Sequence, residues 1–121
     1  MSDFSDGDKR LLADTDEVFV EFKPGRKIPI WIVVDRDQVY VRSVRGPEGR
    51  WYQALAAGQD VQLYAGTSAW SIKGEHTTDP AEIQRVSDAL SQKYQQRWPG
   101  PTAAMLREPV LPTTLRVEPV P

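Results

Sequence analysis

QVYVRSVRGPEGRWY, residues 38–52, is the stretch whose reading decides the fold. It opens as a strand with Val39 and Val41 on one face and Tyr40 and Arg42 on the other. It breaks at Gly46-Pro47-Glu48-Gly49 and restarts as a short helical run, Arg50 to Ala57, closed by Gly58. The break brings Ser43, Arg45, Gly46 and the first amides of a helix to one strand end. A hydroxyl, a guanidinium and backbone N–H groups together suit an anionic oxygen, most often a phosphate. The competing reading is an ordinary strand–turn–helix whose arginines lie in water and whose Trp51 fills a core.

Working outward, residues 28–35 (IPIWIVVD) are apolar on both faces apart from Pro29 and Asp35, which suits one strand covered on both sides. Asp35-Arg36-Asp37 makes a tight reversal into the Gln38 strand. Upstream, residues 17–23 (EVFVEFK) alternate as a half-buried strand and Pro24-Gly25 is a turn. Residues 1–16 are acidic and polar, with a short helix of a turn or two around Lys9–Ala13 and a frayed start over residues 1–5. Downstream, residues 60–65 and 69–75 read as a hairpin across Gly66-Thr67-Ser68. Asp79-Pro80-Ala81-Glu82 is a helix start with an acidic cap, a proline and a glutamate three residues after the cap. Ile83, Val86, Leu90 and Tyr94 then give one apolar face to a helix running to about Arg97. A turn of helix near residues 102–107, a proline-bounded loop and a last strand over residues 113–118 complete the chain.

The expected architecture is therefore mainly β (α+β): a six-stranded antiparallel Greek-key split β-barrel with two or three helices over residues 17–119, preceded by the polar segment 1–16. Two-sided apolar strands in so short a chain point to a homodimer that buries part of this surface. The 121 residues carry a net charge of −2, with no long-range pull toward nucleic acid or an anionic membrane. Cysteine is absent, which excludes disulfides, thiolate metal sites and cysteine nucleophiles. No apolar run approaches the ~20 residues of a membrane span. The acidic N-terminus lacks the form of a signal peptide, so a cytoplasmic chain is expected.

The strand IPIW, the strand YVRS, the turn RGPEGRWY and the terminal TTLRVEP carry a resemblance over residues 17–119. The chain resembles the split β-barrel superfamily of pyridoxamine-phosphate-oxidase-like flavoproteins and deazaflavin-dependent nitroreductases. Within it, the chain is similar to a small bacterial family of uncharacterised function. The resemblance implies a homodimer that holds FMN or a deazaflavin coenzyme in a groove where the barrels meet. It places Arg26 and Lys27, after Gly25, then Ser43, Arg45 and Gly46, then Trp51 and Tyr52, around the cofactor phosphates. Two positions depart from the deazaflavin enzymes: Ile28-Pro29 stands where they show Ser-Gly, and Gln53-Ala54 where they show Asn-Leu. The oxidase-type Arg-x-x-x-Leu-Lys phosphate signature is also missing.

Bland alternatives stand beside these assignments. Arg26-Lys27 reads as a solvated turn without the resemblance, and Trp31 and Trp70 suit core filling. His76, the sole histidine, has no paired acid or hydroxyl at a recognisable spacing, so no catalytic residue is assigned. Asp35 and Asp37 are turn residues before they are metal ligands, and no metal-binding cluster, P-loop or G-x-S-x-G is present. Three functions stay open: an oxidoreductase-like protein acting on a small organic acceptor through FMN or a deazaflavin, a non-catalytic binder of a flavin or another phosphorylated small molecule, and a dimeric scaffold with no cofactor.

Overall fold

The computed structural model describes residues 3–121. Alternation along Val18–Lys23 (β1) buries Val18 and Val20 and leaves Phe19 outward. β1 pairs with Arg26–Ile30 (β2), setting Val20 opposite Ile28 and Glu21 opposite Lys27. The chain then leaves the sheet at Trp31 and Ile32 and re-enters it as Val33–Asp35 (β3). The single strand expected over residues 28–35 is thus two strands, and the sheet has seven strands instead of six.

The cause is competition for the Ile32 backbone. The Ile32 amide donates to the Tyr94 hydroxyl at 3.2 Å, and its carbonyl accepts from that hydroxyl at 3.1 Å and from Lys93 Nζ at 2.7 Å. Trp31 lies flat on the Tyr94 ring, 4.0 Å between centroids and 5° between planes. With its polar groups satisfied by a helix, Ile32 needs no neighbouring strand. β3 turns back into Gln38–Val41 (β4) through Arg36 and Asp37, both at positive φ (49° and 65°). That backbone matches the twist of a two-residue hairpin.

Val61–Ala65 (β5), Ser68–His76 (β6) and Leu115–Pro119 (β7) complete a fully antiparallel sheet in the order β2-β1-β5-β6-β7-β4-β3. Its two edge strands, β2 and β3, are consecutive in the chain, so the curled sheet comes round to the Trp31–Ile32 link without hydrogen-bonding across it. This is a split barrel.

One core fills the inside of the curl, where Val20, Val39, Leu63 and Leu115 meet Trp51 and Leu55. A second lies outside, where Val33 and Tyr40 meet Val86, Leu90 and Tyr94 of the longest helix and Met105. Four α-helices are formed among the described residues, more than the two or three expected: Asp6–Asp14 (α1), Arg50–Ala56 (α2), Pro80–Tyr94 (α3) and Pro99–Met105 (α4). The helix expected to end near Arg97 stops at Tyr94, and Trp98 caps α4. Asp79 caps α3 by accepting the Ala81 amide at 3.0 Å, as the Asp-Pro start implies. Ser5 caps α1 through the Asp8 amide at 3.1 Å. Phe4, expected in a frayed terminus, is instead buried edge-on against Trp70 at 5.4 Å; residues 1 and 2 lie outside the described residues.

α2 closes the barrel's interior by crossing β6 at Gly74. A Cβ there would sit 2.9 Å from Leu55 Cγ and 3.3 Å from Leu115 Cδ1. Gly74→Ala therefore forces the two layers apart, and urea denaturation should show a loss of about 1–3 kcal/mol; unchanged stability would show that the layers can separate freely.

Candidate functional site

As β4 ends, the period of two points Arg42 outward under α3 and α4 and turns Ser43 toward the segment before β7. Arg42 is 1% exposed. Its Nε donates to Thr114 Oγ1 at 2.8 Å, Nη2 to the Ile83 carbonyl at 2.8 Å and Nη1 to the Met105 carbonyl at 3.3 Å. The Ser43 amide donates to Thr113 Oγ1 at 3.0 Å. These bonds fix where the following loop begins.

The loop is a 3-10 turn, Gly46–Glu48, that bonds chiefly to itself. The Gly46 amide donates to the Ser43 carbonyl at 2.8 Å, Ser43 Oγ to the Gly46 carbonyl at 2.8 Å, and the Gly49 amide to that same carbonyl at 3.2 Å. Gly46 adopts φ +70°, a conformation that glycine takes without strain. At Gly49 a Cβ would lie 2.2 Å from Ser43 Oγ. The Ser43 proton and the amides of Gly46 and Gly49 are therefore spent inside the loop, and charged side chains are what the loop offers outward.

Those side chains converge. A cleft of about 590 Å³ runs between the β1–β2 hairpin and this loop, lined by Lys23, Arg26, Ser43, Arg45, Arg50 and Trp51 together with Phe22, Ile28, Pro29, Val44 and Gly49. The four cations are exposed, and among the described residues none of them forms an ion pair. Among the described residues, no carboxylate lines the cleft. The hairpin holds its cations in place through Glu21, which accepts the Gly25 amide at 2.7 Å and the Tyr64 hydroxyl at 2.6 Å. Those two donors hold the Glu21 carboxyl below its ordinary range, the tyrosine contributing more.

Of the residues singled out in the sequence, Arg26, Ser43, Arg45 and Trp51 line this one cleft, and Gly46 lies buried in the loop beside it. Lys27 and Tyr52 face elsewhere. Next along β2 from Arg26, Lys27 projects from the other side of the strand, its Nζ 3.9 Å from the Tyr64 ring centroid. The Tyr52 hydroxyl meets His76 Nε2 at 2.5 Å. Lys23 and Arg50 join the cleft without having been singled out; the signal was present as KPGR and GPEGR, cations flanking tight turns.

The family described as "Uncharacterized protein conserved in bacteria (DUF2255)" matches residues 12–117. The chain belongs to that family. No curated protein matches the sequence. Among solved structures, a Listeria innocua protein assigned provisionally as a pyridoxamine 5′-phosphate oxidase is similar at TM-score 0.60 and 13% identity, over 96% of this chain and 91% of that one. An FAD binding protein from Mycobacterium smegmatis is similar at TM-score 0.52 and 16% identity, over 100% of this chain and 93% of that one. An FAD and heme binding protein from the same organism gives TM-score 0.54 and 18% identity, over 96% of this chain and 65% of that one. At these identities the shared feature is the fold, the split barrel. Among the described residues of this DUF2255 member, no cluster of three or more His, Asp or Glu could hold a metal ion, and no helix is long and apolar enough to cross a membrane.

Proposed function

We propose that this DUF2255 protein binds a phosphate-bearing flavin, FMN or a deazaflavin coenzyme, in the four-cation cleft and acts as an oxidoreductase on a small organic acceptor. One observation carries the reading: a protein of net charge −2 gathers Lys23, Arg26, Arg45 and Arg50 around one cleft with no carboxylate among them. Like charges held together are unfavourable unless an anion joins them, and a guanidinium fork suits phosphate oxygens. The cleft volume of about 590 Å³ lies within the range of small-molecule sites, roughly 300–1,000 Å³. Two structural neighbours named as FAD-binding proteins support the same class.

The donor set fits the phosphate end of such a cofactor. Arg45 and Arg26 would hold the phosphate from opposite walls, with Arg50 and Lys23 adding charge. Trp51, 9% exposed and packed into the inner core, supplies a rigid apolar wall for a ring system. The internally bonded Ser43–Gly49 turn keeps Arg45 aimed. A bound flavin would supply the electron and hydride chemistry. A second reading, a non-catalytic flavin carrier, is favoured by a lining without His, Asp, Glu or Tyr, so that no side chain there is suited to general acid–base work. Reduction of the bound flavin by NAD(P)H, followed by turnover with an acceptor, separates the two.

We also propose a homodimer. Phe19, Val44 and Trp98 are exposed at 38%, 44% and 37%, and Val44 lies at the rim of the cleft, where a second copy would cover it. Light scattering at micromolar concentration should give twice the chain mass, as expected of an interface above about 1,200 Å²; the mass of one chain would rule the dimer out.

Titration with FMN tests the site. Arg45→Ala should weaken binding about 10- to 100-fold, the loss of one charge-assisted contact. Its melting temperature without ligand should stay within the spread of ordinary surface substitutions. Lys27→Ala, on the opposite face, should bind as wild type does. Wild-type protein that binds neither FMN nor a deazaflavin removes the reading, and so does Arg45→Ala binding as tightly as wild type.

A further inference from the structure

Beside the cationic cleft, and sharing Pro29, Val44 and Trp51 with it, lies a smaller chamber of about 230 Å³ between the end of β2 and α4. Its remaining lining includes Ile30, Trp31, Met105, Glu17 and Arg42. Arg42 sets this chamber apart from an ordinary apolar gap. Its three hydrogen bonds all go to neutral oxygens, a hydroxyl and two carbonyls. Among the described residues, no carboxylate lies within ion-pair reach of it. The other arginines that form ion pairs, Arg85, Arg97 and Arg116, are all more exposed than Arg42.

A guanidinium carries five N–H donors, so Arg42 keeps donors beyond its three protein bonds. Burial lowers its pKa to about 10, which still leaves it charged at neutral pH. A buried cation without a counter-charge is costly, and an anion reaching it gains a partner that water competes for poorly. The rest of the lining selects the shape of that anion. Trp31 is held flat by its stack on Tyr94 at 4.0 Å, and Trp51 and Met105 add further apolar surface. Glu17 is exposed and brings the one negative charge to the chamber.

We infer that this chamber is a binding site for a small aromatic carboxylate, its ring between Trp31 and Trp51 and its carboxylate against Arg42. The chamber's occupant is independent of what the cationic cleft holds. If the cleft holds a flavin, the acid would lie on the far side of Trp51 from the phosphate end.

Benzoate and its neutral isostere benzamide are the probes, titrated into the full chain at neutral pH and read by tryptophan fluorescence. Benzoate should saturate, with benzamide at least about tenfold weaker, as a charge-assisted contact requires. Arg42→Gln, checked for folding by circular dichroism, should bring benzoate down to the benzamide level. Glu17→Gln changes only an exposed side chain and should tighten benzoate about twofold or more, through removal of a like charge, with benzamide unchanged. Should Arg42→Gln fail to fold, the benzoate-to-benzamide ratio and the Glu17→Gln response decide the matter. Equal binding of the two probes, binding of neither, or a Glu17→Gln variant indifferent to the probe's charge overturns the inference. Wild-type protein that binds benzoate but neither FMN nor a deazaflavin overturns the cofactor reading alone.

Discussion

A single buried guanidinium ties together the elements on which the site is built. Arg42 joins the end of β4 to Thr114 before β7, to Ile83 on α3 and to Met105 at the end of α4. Each hydrogen bond to a charged group contributes roughly 1.5–3 kcal/mol, against a desolvation cost of several kcal/mol for the ion. The balance holds only while all the acceptors stay in place, so the guanidinium ties the positions of four separate segments to one another. The next residue, Ser43, is fixed through Thr113, and the cation-bearing loop starts from there. Position of the loop is thus inherited from a residue that does not itself enter the larger cleft.

The second constraint is the contest for Ile32. Tyr94 and Lys93 of α3 satisfy its amide and carbonyl, so β2 and β3 part company and the barrel stays split. The same contacts have a cost. Burial pushes the Lys93 amine down to about 8 and the Tyr94 hydroxyl up to about 12. Both groups are held away from their ordinary behaviour in water to keep one peptide out of the sheet. Trp31, released from the strand by that arrangement, becomes a fixed wall of the smaller chamber.

Much of this was legible in the residues. Strand alternation in β1 and β4 and the Asp79-Pro80 cap of α3 emerge as read, because each rests on local periodicity or capping chemistry. The apolar run over residues 28–35 was not divisible by pattern, since a strand covered on both faces and two strands with a buried link have the same composition. Only the tertiary partner Tyr94, 62 positions away, distinguishes them. At the site, Arg26, Ser43, Arg45 and Trp51 were legible as a turn-and-loop cluster. The separation of Arg26 from Lys27 follows from the period of two. Convergence of Lys23 and Arg50 on the same cleft depends on the β1–β2 hairpin, whose register shifts between Glu21 and Lys23, and sequence spacing does not reveal that. Arg42 was legible as outward-facing; that outward meant under two helices was not.

The larger cleft presents concentrated positive charge on a protein that is acidic overall, and the charge has no internal partner among the described residues. Such a surface should hold a flavin chiefly through its phosphate. The most direct measurement is retention of FMN against riboflavin, which has the same ring system without the phosphate, after desalting and visible absorbance. FMN should remain with the protein and riboflavin should wash away. Equal retention of the two, or retention of neither, would contradict a cleft built to hold a flavin phosphate.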